Sequence, residues 1–106
     1  MASDKQTVCV HLTLSGDGFG TDAERQRIFE LEDVMTAAIQ GAGVGEFDGN
    51  GFGFGGVDLF ADGPDADALY AAMEPSIRAY GPSPGSSVVL SYGRNADSPS
   101  RSIELP

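Results

Sequence analysis

Strict alternation of apolar and polar side chains over residues 7–14, TVCVHLTL, predicts a half-buried β-strand. Further along, apolar side chains recur at intervals of three and four between residues 28 and 42, which predicts a long helix with one buried stripe. Thr21 and Glu24 form a capping-box pattern before this helix, and Gly41 or Gly43 ends it. The apolar face of the strand is Val8, Val10, Leu12 and Leu14, and the helical stripe is Ile28, Leu31, Met35, Ala38, Ile39 and Ala42.

The middle of the chain predicts a hairpin followed by a second helix. Residues 44–47 and the alternating GVDLFAD, residues 56–62, predict two strands joined by a glycine-rich segment. Pro64 and Asp65 are typical of the first turn of a helix, whereas Pro75 predicts a kink or a break within it. The buried stripe of this helix is predicted to be Leu69, Met73, Ile77 and Tyr80.

The last predicted strand is SSVVLSYG, residues 86–93, with Val88, Leu90 and Tyr92 on one face. The tail, residues 94–106, is expected to be irregular, although Ile103 and Leu105 allow a short edge strand. A chain of 106 residues suffices for one core, so we expect a single domain with its core over residues 6–93.

The order β-α-β-β-α-β predicts an α+β domain of the ferredoxin-like type. In this arrangement a four-stranded antiparallel sheet, with strand order 4-1-3-2, carries both helices on one face. The stretch GEFDGNGFG…LFADGPDADALYAAMEP…VVLSYG, about residues 45–93, also resembles a group of small uncharacterised bacterial proteins of this fold. The resemblance implies a fold and no activity, so no functional residue is transferred from it.

Charge and composition exclude several classes of function. The net charge is −10, and residues 17–74 hold thirteen acidic side chains against two arginines. An acidic surface repels phosphate backbones and anionic lipid, so we expect no binding to nucleic acid or membrane. A basic protein is the partner that such a surface favours, and solubility is the simpler interpretation. Without a signal peptide and with Cys9 as its lone cysteine, the chain is expected to be cytoplasmic.

The segment GEFDGNGFGFGGVDLF contains a literal G-x-G-x-x-G at Gly51, Gly53 and Gly56. A dinucleotide site needs a helix after these glycines, but a strand is predicted there. Asp48-Gly49 and Asn50-Gly51 instead resemble type I′ turn pairs of a hairpin. Asp48 resembles the start of an EF-hand, but the closing glutamate is missing because residue 59 is Leu. GFGGVDLF resembles a calcium-binding nonapeptide, but such repeats bind calcium between stacked copies and this chain has one. We therefore expect neither cofactor nor metal.

GPSPG, residues 81–85, matches the G-x-S-x-G pattern of hydrolases. A nucleophile elbow runs from a strand to a helix, whereas Ser83 lies between two prolines after a helix. The pattern therefore does not predict a serine hydrolase.

The sheet face opposite the helices is the candidate site, because nothing in the predicted domain covers it. Alternation places Cys9, His11, Asp58 and Phe60 there, with Val89 on strand four. Glu46 and Asp48 join them if Phe47 points to the core. His11 and Asp58 are weak candidates for a general base, or for a metal site with Cys9, although a lone strand histidine is more often a surface residue.

Two functions follow from this face. The first is a non-enzymatic, acidic binding or regulatory module, of which toxin neutralisation is one example, that docks a basic partner. The alternative is a small enzyme or ligand-binding protein that pairs face to face as a homodimer, as dimeric α+β barrels do, with a pocket near His11 and Phe60. Phe60 is the expected anchor of association, unless the C-terminal tail covers it.

Overall fold

The computed structural model describes residues 6–15, 20–53, 55–82, 84–93 and 99–105. Seven helices and strands lie in these ranges, in the predicted order with one strand added at the end. They are β1 (Gln6–Thr13), α1 (Asp22–Ala42), β2 (Glu46–Gly53), β3 (Gly56–Gly63), α2 (Ala66–Tyr80), β4 (Ser87–Ser91) and β5 (Ser100–Glu104).

The strands form one antiparallel sheet in the order β2-β3-β1-β4-β5. The predicted order of strands one to four is confirmed, but the prediction of four strands is wrong because β5 pairs with the outer edge of β4. Val88 lies opposite Ile103, and Leu105 is buried, so apolar side chains hold the last strand in place. The short edge strand that the sequence allowed at Ile103 is therefore present. The expectation of an irregular tail is corrected for residues 100–104.

One face of the sheet carries the core. Alternate residues of β1 are completely buried, and so are their cross-strand partners on β3 and β4. The two helices pack against each other and against this same face, α1 over β2 and α2 over the three central strands. The buried strand residues are Val8, Val10, Leu12, Val57, Leu59, Ala61, Val88 and Leu90, and the buried helix residues include Ile28, Leu31, Met35, Ile39, Leu69, Met73 and Ile77.

The helix termini follow the predicted capping chemistry with one exception. The Thr21 side chain and the Glu24 carboxylate form the reciprocal capping box of α1, and Gly43 ends that helix in a left-handed conformation. At α2 the N-cap is Asp65, so Pro64 precedes the helix instead of lying in its first turn. The helix then runs through Pro75 without a break, because Pro75 lies on the exposed face, where water can satisfy the freed carbonyl group.

The glycine-rich segment is a hairpin, but its turn lies later than predicted. β2 continues to Gly53, and β3 begins at Gly56. Asp48-Gly49 and Asn50-Gly51 are therefore strand residues, not turn pairs, with a β-bulge between Phe47 and Gly49. The two flanking phenylalanines, Phe47 and Phe52, pack against the core and so keep the segment in the sheet.

Candidate functional site

The sheet face opposite the helices, here called the open face, consists of three rows of side chains that cross the strands. Each row follows from the pairing register of β1 with its two neighbours. From β2 to β5 the rows are Gly51, Asp58, His11, Ser87 and Glu104; then Gly49, Phe60, Cys9, Val89 and Ser102; then Glu46, Asp62, Thr7, Ser91 and Ser100.

The middle row of the open face is apolar at its centre. Cys9 lies directly between Phe60 and Val89, which are 41% and 36% exposed. Neither Ile103 nor Leu105 of the tail covers Phe60, since both pack against the core on the other side of the sheet. These three side chains, the apolar row, therefore leave hydrophobic area exposed to solvent.

His11 and Asp58 lie in the row beside it. Nδ1 of His11 lies 2.8 Å from Oδ1 of Asp58, and both side chains are about half exposed. The imidazole also lies against Gly56, where a Cβ atom would come within 2.9 Å of Cε1. These two contacts tilt the ring toward β3 and away from Ser87, its cross-strand neighbour on β4. The predicted His-Asp pair is thus brought together on the β3 side of the imidazole.

Cys9 lies on the same strand two residues from His11 and does not complete a reactive site. Burial, and secondarily the negative charge of Asp58, raise the pKa of the Cys9 thiol to about 11. The thiolate is the nucleophilic and metal-binding form, and it is scarce at neutral pH under these conditions. Within the described ranges, no three His, Cys, Asp or Glu side chains are grouped so that they could hold a metal ion.

The open face is also one-sided in charge. Glu46, Asp58, Asp62 and Glu104 face this side according to the strand register. All four arginines in the described part of the chain lie elsewhere: Arg25 and Arg27 on α1, Arg78 on α2, and Arg101 opposite the buried Leu90 on the helix side of β5. The described residues of the open face therefore include several carboxylates and no Lys or Arg.

Asp48 lies at the bulge of β2, directly after Phe47, which packs against the core as the prediction required. It is the extra residue of the β2 bulge and has no register partner on β3, so Gly49 lies opposite Phe60 instead. Asp48 remains exposed at the sheet edge. Glycines at positions 49 and 51 leave the β2 side of the open face flat, and a partner can approach Phe60 and Asp58 from that direction.

Four depressions of about 150 to 500 Å³ occur among the described residues, and none of these four is lined by His11 or Phe60. The largest, near Arg25, Phe29 and Phe52, is a shallow surface region. Another lies between α2 and β5 and includes Tyr70 and Arg101, two residues that the sequence patterns did not single out. Tyr70 directly follows the predicted stripe residue Leu69, and Arg101 lies in the tail, so neither had a periodic signal.

Comparison with known protein families, characterised proteins and solved structures finds no significant match for this chain. In the described part of the chain, neither helix is both long and apolar enough to cross a membrane.

Proposed function

We propose that this protein is a non-enzymatic binding module of ferredoxin-like type, which docks a basic protein through its open face. The observation that carries the proposal is the apolar row of Phe60, Cys9 and Val89, flanked by carboxylates and without a described cation on that face. Apolar area supplies binding energy, and complementary charge raises the rate and selectivity of association. An inhibitor of a basic toxin or a basic enzyme would use this surface in the same way.

The charges favour a different protein over a second copy of the chain. If two open faces stacked, carboxylates such as Glu46 and Glu104 of both copies would lie in one interface, whose described residues include no Lys or Arg. Like charges brought together in an interface cost several kcal/mol. A basic surface gains from the same carboxylates, so the face-to-face homodimer is the less favoured occupant.

The size of the open face suggests a moderate affinity. Strands lie about 4.8 Å apart, so five of them span roughly 20 Å, and strands of five to eight residues are about 17 to 27 Å long. A face of about 400 Å² is smaller than the roughly 800 Å² that each partner contributes to a standard interface. We therefore expect a salt-sensitive complex in which Phe60 provides a large share of the binding energy.

The enzyme alternative has less support. A general base acts on a substrate held in a pocket, and the His11–Asp58 pair lies on an open sheet surface. The protonated thiol of Cys9 provides no nucleophile beside it. In the binding module the pair has a simpler role, in which Asp58 orients the imidazole so that a partner meets a fixed polar group.

The experiment is an affinity pull-down from the native cytosol at low salt, followed by a salt step and identification of the released protein. The candidate is then purified, and its affinity and association rate are measured with defined variants. Phe60→Ala should weaken binding by more than about 1 kcal/mol, and Asp58→Lys should mainly slow association at low salt. Val34→Ala is the matched control, because Val34 is an exposed apolar residue on α1, at 56% exposure.

The variants separate binding from folding. Phe60→Ala should leave the unfolding free energy of the isolated protein almost unchanged, since its side chain is exposed. If Phe60→Ala destabilises the isolated protein by several kcal/mol and leaves binding intact, the proposal fails. It also fails if Val34→Ala, and not Phe60→Ala, weakens binding to the purified partner.

A further inference from the structure

The helix side of β5 has a cavity because the sheet is wider than the pair of helices that covers it. α2 packs on β1, β3 and β4, while β5 extends the sheet beyond β4. The trough between α2 and β5 has a volume of about 370 Å³. This is within the size range of small-molecule sites, roughly 300–1,000 Å³. Its lining includes Tyr70, Leu90, Arg101 and Ile103, together with Asp67, Glu74 and Arg78.

A buried hydroxyl without a partner lies in this lining. Tyr70 is only 8% exposed, and its hydroxyl has no hydrogen-bond partner among the described residues. Burial, and next the charge of Glu74, raise the pKa of Tyr70, while Arg78 and Arg101 oppose that rise. The charges of the cavity wall therefore surround the hydroxyl, but the Glu74 carboxylate does not reach it with hydrogen-bond geometry. Buried hydroxyls are normally paired, so this one retains the capacity for a hydrogen bond to a ligand.

The charged groups of the wall differ in their partners. Nη2 of Arg78 lies 2.8 Å from Oε2 of Glu74, and the Tyr92 hydroxyl donates to Oδ1 of Asp67 at 2.6 Å. Arg101 has no carboxylate within ion-pair distance in the part of the chain described. Arg101 is exposed, so its long side chain can move and give a ligand access to the hydroxyl of Tyr70. The hydrogen bond to Asp67 raises the pKa of Tyr92, and Arg101 acts on the same hydroxyl by opposing that rise. A guanidinium without a described carboxylate partner, near a buried hydroxyl, suits a planar carboxylate.

We infer that this trough binds an α-amino acid with an apolar side chain. The ligand carboxylate would contact Arg101 and the hydroxyl of Tyr70, and the ammonium group would contact Asp67 or Glu74. A zwitterion fits better than a simple carboxylic acid, because the wall is neutral in sum and the chain as a whole repels net anions. Leu90 and Ile103 provide apolar contacts for the side chain. The inference is independent of the partner proposed for the open face.

The test is an NMR titration of the ¹⁵N-labelled protein with L-leucine to about 20 mM, because so small a ligand is expected to bind with a Kd of about 1 mM. Saturable shifts should appear at amides of α2 and β5. Two analogues isolate the charges: 4-methylpentanoate lacks the ammonium group, and isoamylamine lacks the carboxylate. Each should bind at least about tenfold more weakly than leucine.

Two variants and two matched controls locate the site. Arg101→Met and Tyr70→Phe should each weaken leucine binding by about tenfold or more, since each removes one contact to the carboxylate. Tyr70→Phe removes an unpaired hydroxyl and should not impair folding. Arg27→Met and Tyr80→Phe make the same chemical changes at an Arg–Tyr pair outside the cavity and should change affinity less than twofold.

Four results would overturn the inference. One is the lack of saturable shifts with leucine, and another is binding of either analogue as tightly as leucine. The third is leucine binding that Arg101→Met and Tyr70→Phe leave unchanged, which would place the ligand elsewhere. If Tyr70→Phe alone has no effect, the hydroxyl contact is wrong, and the proposed carboxylate site is rejected with it.

Discussion

Asp58 on β3 lies 2.8 Å from His11, its partner on β1, and diagonally opposite Cys9 on the same strand, so one carboxylate acts on both polar residues at the centre of the open face. With His11 it forms a hydrogen bond, whereas with Cys9 it acts through charge, as a secondary cause of the raised thiol pKa. The site is thus better suited to present a fixed polar surface than to generate a nucleophile.

Cys9 should react slowly with iodoacetamide in the folded protein at pH 8, and faster after unfolding in urea. Its pKa is raised from 9.0 to about 11 by burial and then by Asp58, so the thiolate is scarce. The raised pKa stabilises the folded state fully below pH 9.0, and this contribution is lost as the pH rises through about 11. Alkylation rates measured by mass spectrometry from pH 7 to 11 test the reactivity of the thiol. Urea unfolding over the same pH range tests its contribution to stability.

Asp58→Asn should increase the alkylation rate of the folded protein only a few-fold, because burial is the larger cause of the raised pKa. Asp33→Asn, on α1, is the control and should have no effect. An equal rate for folded and unfolded protein would contradict the burial of the thiol.

Leu12→Ala should lower the unfolding free energy by about 2–5 kcal/mol, because Leu12 is completely buried beneath the helices. Urea denaturation monitored by circular dichroism provides the measurement. Val34→Ala, at an exposed position of α1, should change stability by less than about 0.5 kcal/mol. A loss for Leu12→Ala no larger than that of the control would mean that the two sheet faces are exchanged.

Two glycine-to-alanine substitutions should have opposite signs. At Gly63 a Cβ atom would come within 2.2 Å of the carbonyl oxygen of Val44, so Gly63→Ala must displace backbone and should destabilise the fold. At Gly41, in the last turn of α1, a Cβ atom meets nothing within 4 Å, and Gly41→Ala should stabilise by about 0.5–1 kcal/mol. Thermal unfolding of both variants measures the two effects. Destabilisation by Gly41→Ala, or stabilisation by Gly63→Ala, would contradict the space that the structure shows at these glycines.

Millimolar calcium or ATP should not raise the melting temperature. The glycine-rich segment continues β2 as a strand, and its register places no helix N-terminus at Gly51, Gly53 or Gly56. A ligand at a hundred times its Kd adds about 2.7 kcal/mol, which a thermal-shift assay detects as several degrees. Such a rise with either ligand would show that the segment is a binding site.

The prediction of the glycine-rich segment shows the limit of local patterns. Asp-Gly and Asn-Gly pairs favour turns on their own, but Phe47 and Phe52 both pack against the core and hold these residues in β2. The bulge at Asp48 then absorbs the extra residue. The turn therefore lies at the end of the segment because Phe47 and Phe52 pack against the core. The local sequence pattern does not indicate that packing.

The period of apolar residues in the sequence was enough to predict the two helices, β1 and β4, and the residues on each face of the sheet. Burial of one side imposes a repeat of 2 residues on a strand and 3.6 residues on a helix. The same periodicity also placed Cys9, His11, Asp58 and Phe60 on the open face, where the register brings them together. Only the tertiary structure decided that β5 joins the sheet and that Tyr70 and Arg101 meet beside it. The β4–β5 pairs join residues 9 (Ser91 and Ser100) to 17 (Ser87 and Glu104) positions apart, and Tyr70 is 31 positions from Arg101. The stability of these contacts depends on area buried between elements, which a local repeat does not encode.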